Sequence, residues 1–127
     1  MKSYTDIEQS RKLAEILPLE SADGGWYGTT NQKAPNTNFW LGTKYSKNAV
    51  CPAWSLAALL DVLPNNEHIT TSVSRGSWQI EPINYLPNTW WCEYEDNESL
   101  TEFNVSAENP VDACVDMILK LKRGNLL

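Results

Sequence analysis

The sequence is poor in the residues that build export scaffolds and metal centres. It has three cysteines and a single histidine in 127 residues. Cys51, Cys92 and Cys114 are odd in number and widely spaced, with no C-x-x-C pair. A secreted disulfide framework would need an even and denser set. A zinc site would need paired ligands at short spacing. Three reduced thiols are expected, with no metal and no cofactor. The two N-x-S sequons, at Asn97 and Asn104, carry no meaning without export.

Long apolar runs are missing as well. The longest, Ala53 to Leu63, is interrupted by Ser55 and Asp61, well short of the ~18 apolar residues of a membrane span. The opening stretch MKSYTDIEQSRKLAEILPLE has no apolar core of signal-peptide length. The expectation is a cytoplasmic protein with no membrane partner. Positive charge is also scarce, with 10 Lys and Arg against 16 Asp and Glu and a net charge of −6. That balance argues against a nucleic-acid partner.

What is present is hydrophobic and aromatic. At 42% hydrophobic, with six tryptophans, the chain is too apolar for intrinsic disorder. Its length fits one domain over residues 1–127. The acidity lies in the second half. Residues 64–127 hold all of the excess, and Glu93, Glu95, Asp96, Glu98 and Glu102 fall in one stretch without a base. Such a stretch suits a basic partner or a cation, or is a solvated strand–turn–strand surface. Its spacing does not fit a calcium loop, which requires D-x-[DN]-x-[DN]-G and a distal Glu.

Periodicity divides the chain into elements. Thr5 to Glu8 has the form of a capping box, with Thr5 as N-cap, and a helix is expected over 5–17, stopped by Pro18. Residues 19–50 read mainly as loops, with a short strand at Asn38 to Leu41. Gly24, Gly25 and Gly28 lack the Lys-Ser/Thr of a phosphate loop. A helix is expected over 51–63, with Cys51 at its N-cap, Pro52 in the first turn and apolar residues all round. Period-two alternation then takes over. Strands are expected at 69–74, at 77–81 (carrying Trp78 and Ile80), at 89–95 and at 100–105, the last with Phe103 and Val105 inward. Turns separate them at Arg75-Gly76, at Pro87-Asn88 and at Asp96 to Ser99. The last helix starts at Asn109 and Pro110, buries Val111, Cys114, Val115, Ile118 and Leu119, and ends at Gly124. The expected fold class is α+β, a small antiparallel meander of three to four strands packed by two or three helices.

Two stretches carry a resemblance. They are Trp54-Ser55-Leu56-Ala57-Ala58-Leu59-Leu60-Asp61 and Asp112-Ala113 with Met117-Ile118-Leu119-Lys120-Leu121. Together they resemble a group of short uncharacterised bacterial proteins, often carried on prophage-like or conjugative elements. In that group a W-S-L-A-A-L-L-D helix precedes a small meander and a D-A-x-x-x-M-I-L-K-L helix. The resemblance implies a small α+β fold in a bacterial cytoplasm. It transfers no functional residue, because both motifs consist mainly of core-facing side chains.

Two sites can be drawn on the residues. Cys51, at a helix N-cap, would have an activated thiol, with His68 as the base of a Cys-dependent enzyme. A Ser55, Asp61 and His68 triad is rejected, since Ser55 and Asp61 lie on different helix faces and no nucleophile elbow surrounds the serine. The second site is Trp91, which alternation places beside Glu93 and Glu95 on the polar face of the meander. An aromatic between carboxylates can stack on a sugar or receive a cationic side chain. Trp26 and Tyr27 could complete that surface. The favoured expectation is a non-enzymatic protein that binds a protein or peptide partner through this acidic, aromatic face. A small-ligand or carbohydrate module using exposed Trp and Tyr is the alternative, and the Cys51 enzyme comes third.

Overall fold

The structure is a computed structural model describing residues 2–28, 39–75 and 89–127. The described residues form an α+β arrangement of three α-helices, a short 3-10 helix at Leu19–Ser21 and two three-stranded antiparallel sheets. These divide into two compact units, one formed by Ser3–Asp61 and one by Met1–Lys2 with Val62–Leu127.

In the Ser3–Asp61 unit, helix α1 spans Ile7–Ala14. Its N-cap is Asp6, one residue later than expected, and Gln9 completes the capping box. The shift has a tertiary cause. The Thr5 hydroxyl is committed elsewhere, accepting from the Trp54 N–H at 3.1 Å and sharing a 2.7 Å hydrogen bond with the Ser10 hydroxyl. Thr5 and Ser10 are both fully buried, and Leu13 and Leu17 are buried with them.

Three strands follow, β1 at Gly24–Gly28, β2 at Phe39–Gly42 and β3 at Cys51–Ala53, in the order β2-β1-β3. A strand at Gly24–Gly28 departs from the loop expected over 19–50. The sequence G-G-W-Y-G has no β-branched residue to signal it. Gly24 of β1 and Gly42 of its partner β2 are required by close approach, since a methyl at Gly42 would lie 2.5 Å from Tyr27 Cε2 and one at Gly24 would lie 2.8 Å from Tyr4 Cε2. The rings take the space that side chains would fill.

The central helix is shorter than expected. α2 spans Leu56–Val62, and residues 51–53 belong to β3. Ser55 sets the start, because its Oγ accepts from the Ala58 N–H and its carbonyl from the Leu59 N–H. The Asp23 carboxylate in turn holds the Ser55 N–H at 2.8 Å and accepts from its hydroxyl. The helix is not buried all round, since Ala57, Leu60 and Asp61 are exposed. Trp54 is fully buried just before it, donating from Nε1 to Ser21 Oγ at 2.9 Å.

The other unit is a meander under one helix. Strands β4 at Ile69–Arg75, β5 at Trp90–Asp96 and β6 at Thr101–Ala107 pair in the order β4-β5-β6. Ile69 pairs with Asp96 and Arg75 with Trp90, so β4 is joined directly to β5 along its whole length. The strand expected at 77–81, with Trp78 and Ile80, lies outside the described residues, as do Gly76 and the turn at Pro87-Asn88. Helix α3 spans Pro110–Arg123, capped by Asn109 at one end and by Gly124 at the other, and it packs over all three strands. Its buried stripe of Val111, Cys114, Val115, Ile118 and Leu121 meets Cys92 and Tyr94 on the inner face of β5. The Phe103 ring lies 5.8 Å from Tyr94 and receives Lys120 Nζ at 5.0 Å from its centroid. Lys2 ties to α3 through a 2.8 Å ion pair with Asp112. Among the described residues no helix is long and apolar enough to cross a membrane.

Candidate functional site: the outer face of the β4-β5-β6 sheet

Strand alternation decides what the second sheet offers to solvent. With α3 on one face, the other carries Trp91, Glu93 and Glu95 from β5. Beside them lie Thr70, Ser72 and Ser74 from β4 and Glu102, Asn104 and Ser106 from β6. Three carboxylates and one indole thus sit among small hydroxyls and an amide, with no lysine or arginine among these described residues. Trp91 pairs with Ser74 and Ser106, and Glu93 with Ser72 and Asn104. Trp91 is half-buried, and its indole nitrogen is shielded from solvent.

The acidity is steepest at the β5–β6 end. Glu95 is directly opposite Glu102, an arrangement of like charges that weakens a sheet. Both line a shallow open depression of about 120 Å³ with Asp96, Asn97, Leu100 and Thr101. The turn that closes the hairpin is built on Asp96, whose Oδ1 accepts from the Glu98 N–H at 2.9 Å and the Ser99 N–H at 3.3 Å. Desolvation disfavours the Asp96 carboxylate, but hydrogen bonds from Ser99 and Glu98, with His68 nearby, outweigh it and hold the carboxyl below its ordinary range. Leu100 ends the turn with φ of 59° and is 86% exposed. A leucine in the left-handed region costs about 1 kcal/mol, and here it keeps an apolar side chain in water among acids. The sequence alone left these residues as a turn and a strand start. The available signal was a leucine in D-N-E-S-L, where glycine or asparagine would be conformationally cheaper.

The other candidates are placed differently. Cys51 lies in strand β3, not at a helix N-terminus, so the expected activating dipole is absent. Burial raises its thiol above the ordinary cysteine range, and the charge of Arg11 only partly opposes this. His68 belongs to the other unit, exposed, with Nε2 3.7 Å from Glu98 Oε2. Ser55 is a helix cap bound by Asp23, and Asp61 is exposed on α2. Trp26 and Tyr27 point to opposite faces of β1 and make their bonds within the Ser3–Asp61 unit. Trp26 Nε1 donates to the Thr5 carbonyl at 3.0 Å, and Tyr27 Oη donates to the Lys44 carbonyl at 2.7 Å. The structure therefore brings Trp91, Glu93 and Glu95 together on one face. Among the described residues no group of three or more His, Cys, Asp or Glu side chains is arranged to hold a metal ion. The chain matches no protein-family model, no curated protein and no solved structure.

Proposed function

We propose that this chain is a non-enzymatic interaction protein of a bacterial cytoplasm, holding a basic protein or peptide through the outer face of its β4-β5-β6 sheet. The observation that carries the reading is Leu100, an exposed leucine in a strained turn, lining one depression with Glu95, Asp96 and Glu102. An apolar knob beside carboxylates is complementary to a segment that presents lysine or arginine around an apolar residue. Trp91 extends the contact area along the same face, where an indole can also stack with a cationic side chain. The opposed Glu95 and Glu102 support the reading too, since a cation placed between them relieves their repulsion.

The test is co-purification from the host cytoplasm at two salt concentrations, with wild type, Trp91→Ala, and Glu95→Lys. The expected result is one basic protein retained by wild type, released by salt and lost with either variant. Retention of the same proteins by all three forms at both salt concentrations overturns the proposal.

A second reading has its own observation. Trp40 is 62% exposed and directly opposite Tyr27 on the β1-β2 pair, a geometry that suits stacking on a sugar ring. It predicts a thermal shift with a glycan, abolished by Trp40→Ala and unaffected by Glu95→Lys.

A further inference from the structure

The two outer strands of the β4-β5-β6 sheet end differently. The free edge of β4 is closed by the chain that leads into it. Asn65 Oδ1 accepts from the Thr71 N–H at 2.9 Å, and the Ile69 carbonyl accepts from the Asn66 N–H at 2.9 Å. The edge of β6 has no such cover. Among the described residues no group bonds to the outward N–H and C=O groups of Thr101–Ala107. β6 also lacks the features that blunt an edge. Its seven residues, T-E-F-N-V-S-A, hold no proline and no lysine, and its register against β5 runs without a bulge from Asp96–Thr101 to Trp90–Ala107. Phe103 and Val105 point to the α3 side yet are only half-buried, whereas Cys92 and Tyr94 beside them on β5 are buried. The apolar layer under α3 is incomplete at this edge.

We infer that the missing neighbour is the β6 strand of a second copy, added antiparallel, so that a two-fold dimer carries one continuous six-stranded sheet. A sheet shared across a two-fold axis needs antiparallel strands at the seam. Side-chain alternation allows only even shifts of register, and the sequence favours the register centred on Asn104. All seven residues then pair. Asn104 meets Asn104, Glu102 meets Ser106, Phe103 meets Val105 and Thr101 meets Ala107 of the other copy. No carboxylate faces another, and the apolar pairs fall on the α3 side, where burial is incomplete. Centring on Val105 would set Glu102 against Glu108, and centring on Phe103 would pair only five residues of the strand.

Charge on α3 supports the same register. Lys120 Nζ stands over Phe103, and Asp116 is exposed one turn earlier on the same helix flank. α3 runs back along β6, so one turn, about 5 Å, brings Asp116 near the level of Val105, about 7 Å along the strand. Because Phe103 faces the other copy's Val105, each Lys120 faces the other copy's Asp116. The two β5 strands would be three strand spacings, about 14 Å, apart, which seats two helices of about 10 Å diameter side by side. Pairing uses the open edge of both copies and leaves the closed β4 edges outermost, so this contact stops at two chains. It uses the strand edge, not the outer face, and is independent of the partner proposed above.

The test is sedimentation of the full chain over a concentration series, with amide hydrogen exchange read on the same samples. The expected result is a species of twice the chain mass that dissociates on dilution, with slower exchange at Thr101–Ala107 in the dimer. Asn104→Asp sets four carboxylates in one row, with Glu93 of each copy, and should raise the dissociation midpoint about fivefold at low salt. An equimolar mixture of Asn104→Asp and Asn104→Lys should restore the wild-type midpoint through the mixed pair. Circular dichroism of both variants should match wild type, since Asn104 is exposed. A single chain at every concentration overturns the proposal and leaves the edge to a strand of another protein. A dimer with unchanged β6 exchange, or one that Asn104→Asp leaves as tight as wild type, overturns it as well.

Discussion

Glu95 and Glu102 face each other across β5 and β6, two carboxylates in direct register. Neighbouring positions on the same hairpin carry serine, threonine and asparagine, so a neutral partner would fit there. The sheet keeps a repulsion that its own folding does not require.

Replacing one member of that pair should stabilise the protein. Glu102→Lys turns a like-charge pair into an opposite one and is expected to gain about 0.5 kcal/mol in urea unfolding at low salt, a gain that fades as salt is added. A loss of stability at low salt would mean that the two carboxylates are not in conflict.

Leu100 makes a related prediction from backbone strain. Leu100→Asn places a residue tolerant of the left-handed region at φ 59° and is expected to raise stability by about 0.5–1 kcal/mol. Retention of the basic partner should weaken in the same variant. Stability and binding should thus move in opposite directions, measured by urea melts and by co-purification.

The Asp96 turn should be acid-sensitive. Its carboxyl is held below the ordinary value in the folded state, so its contribution is fully present above about pH 4. It is lost as pH falls through the lower folded value. Asp96→Asn should flatten the stability profile in that window, followed by far-ultraviolet circular dichroism during acid titration. An unchanged profile would remove Asp96 from the acid transition.

Thr5 is the buried polar hub of the other unit. Thr5→Val keeps the shape but deprives the Trp54 N–H and the Ser10 hydroxyl of a partner, an expected cost of about 2–3 kcal/mol. Ser10→Ala should cost less, because the Thr5 hydroxyl would still accept from Trp54. Equal losses for the two variants would argue against the hub.

The Cys-dependent enzyme makes an opposite claim about Cys51. A thiol raised by burial and 7% exposed should react with a thiol reagent at neutral pH more slowly than free cysteine. Faster, selective labelling of Cys51 would revive the catalytic reading.

Much of the second unit was legible in the sequence because its signals are local. Asn109, Pro110 and Gly124 mark the ends of α3 through capping geometry, and the i, i+3, i+4 stripe marks its buried face. Period-two alternation put Cys92 and Tyr94 inward and Glu93 and Glu95 outward, as observed. Trp90, expected inward with them, is only half-buried. The first unit was legible only in part. The β1 strand has the composition of a loop, and its shape depends on Tyr4 and Tyr27 packing against glycines. The start of α2 depends on Asp23, distant in sequence, binding Ser55. The helix expected from Cys51 failed for that reason. Residues 51–53 found strand partners in β1, and a propensity reading cannot see a partner brought from elsewhere in the chain.

By itself, the sequence determined the fold class, the ends of α3, which side chains of β5 face solvent, and the concentration of acid beside Trp91. Each follows from spacing and capping, which are short-range properties of the chain. Tertiary structure alone decided that Glu95 opposes Glu102, and that Leu100 stands exposed beside Glu95, Asp96 and Glu102. Those relationships depend on strand register, which is set by contacts between residues apart in the chain.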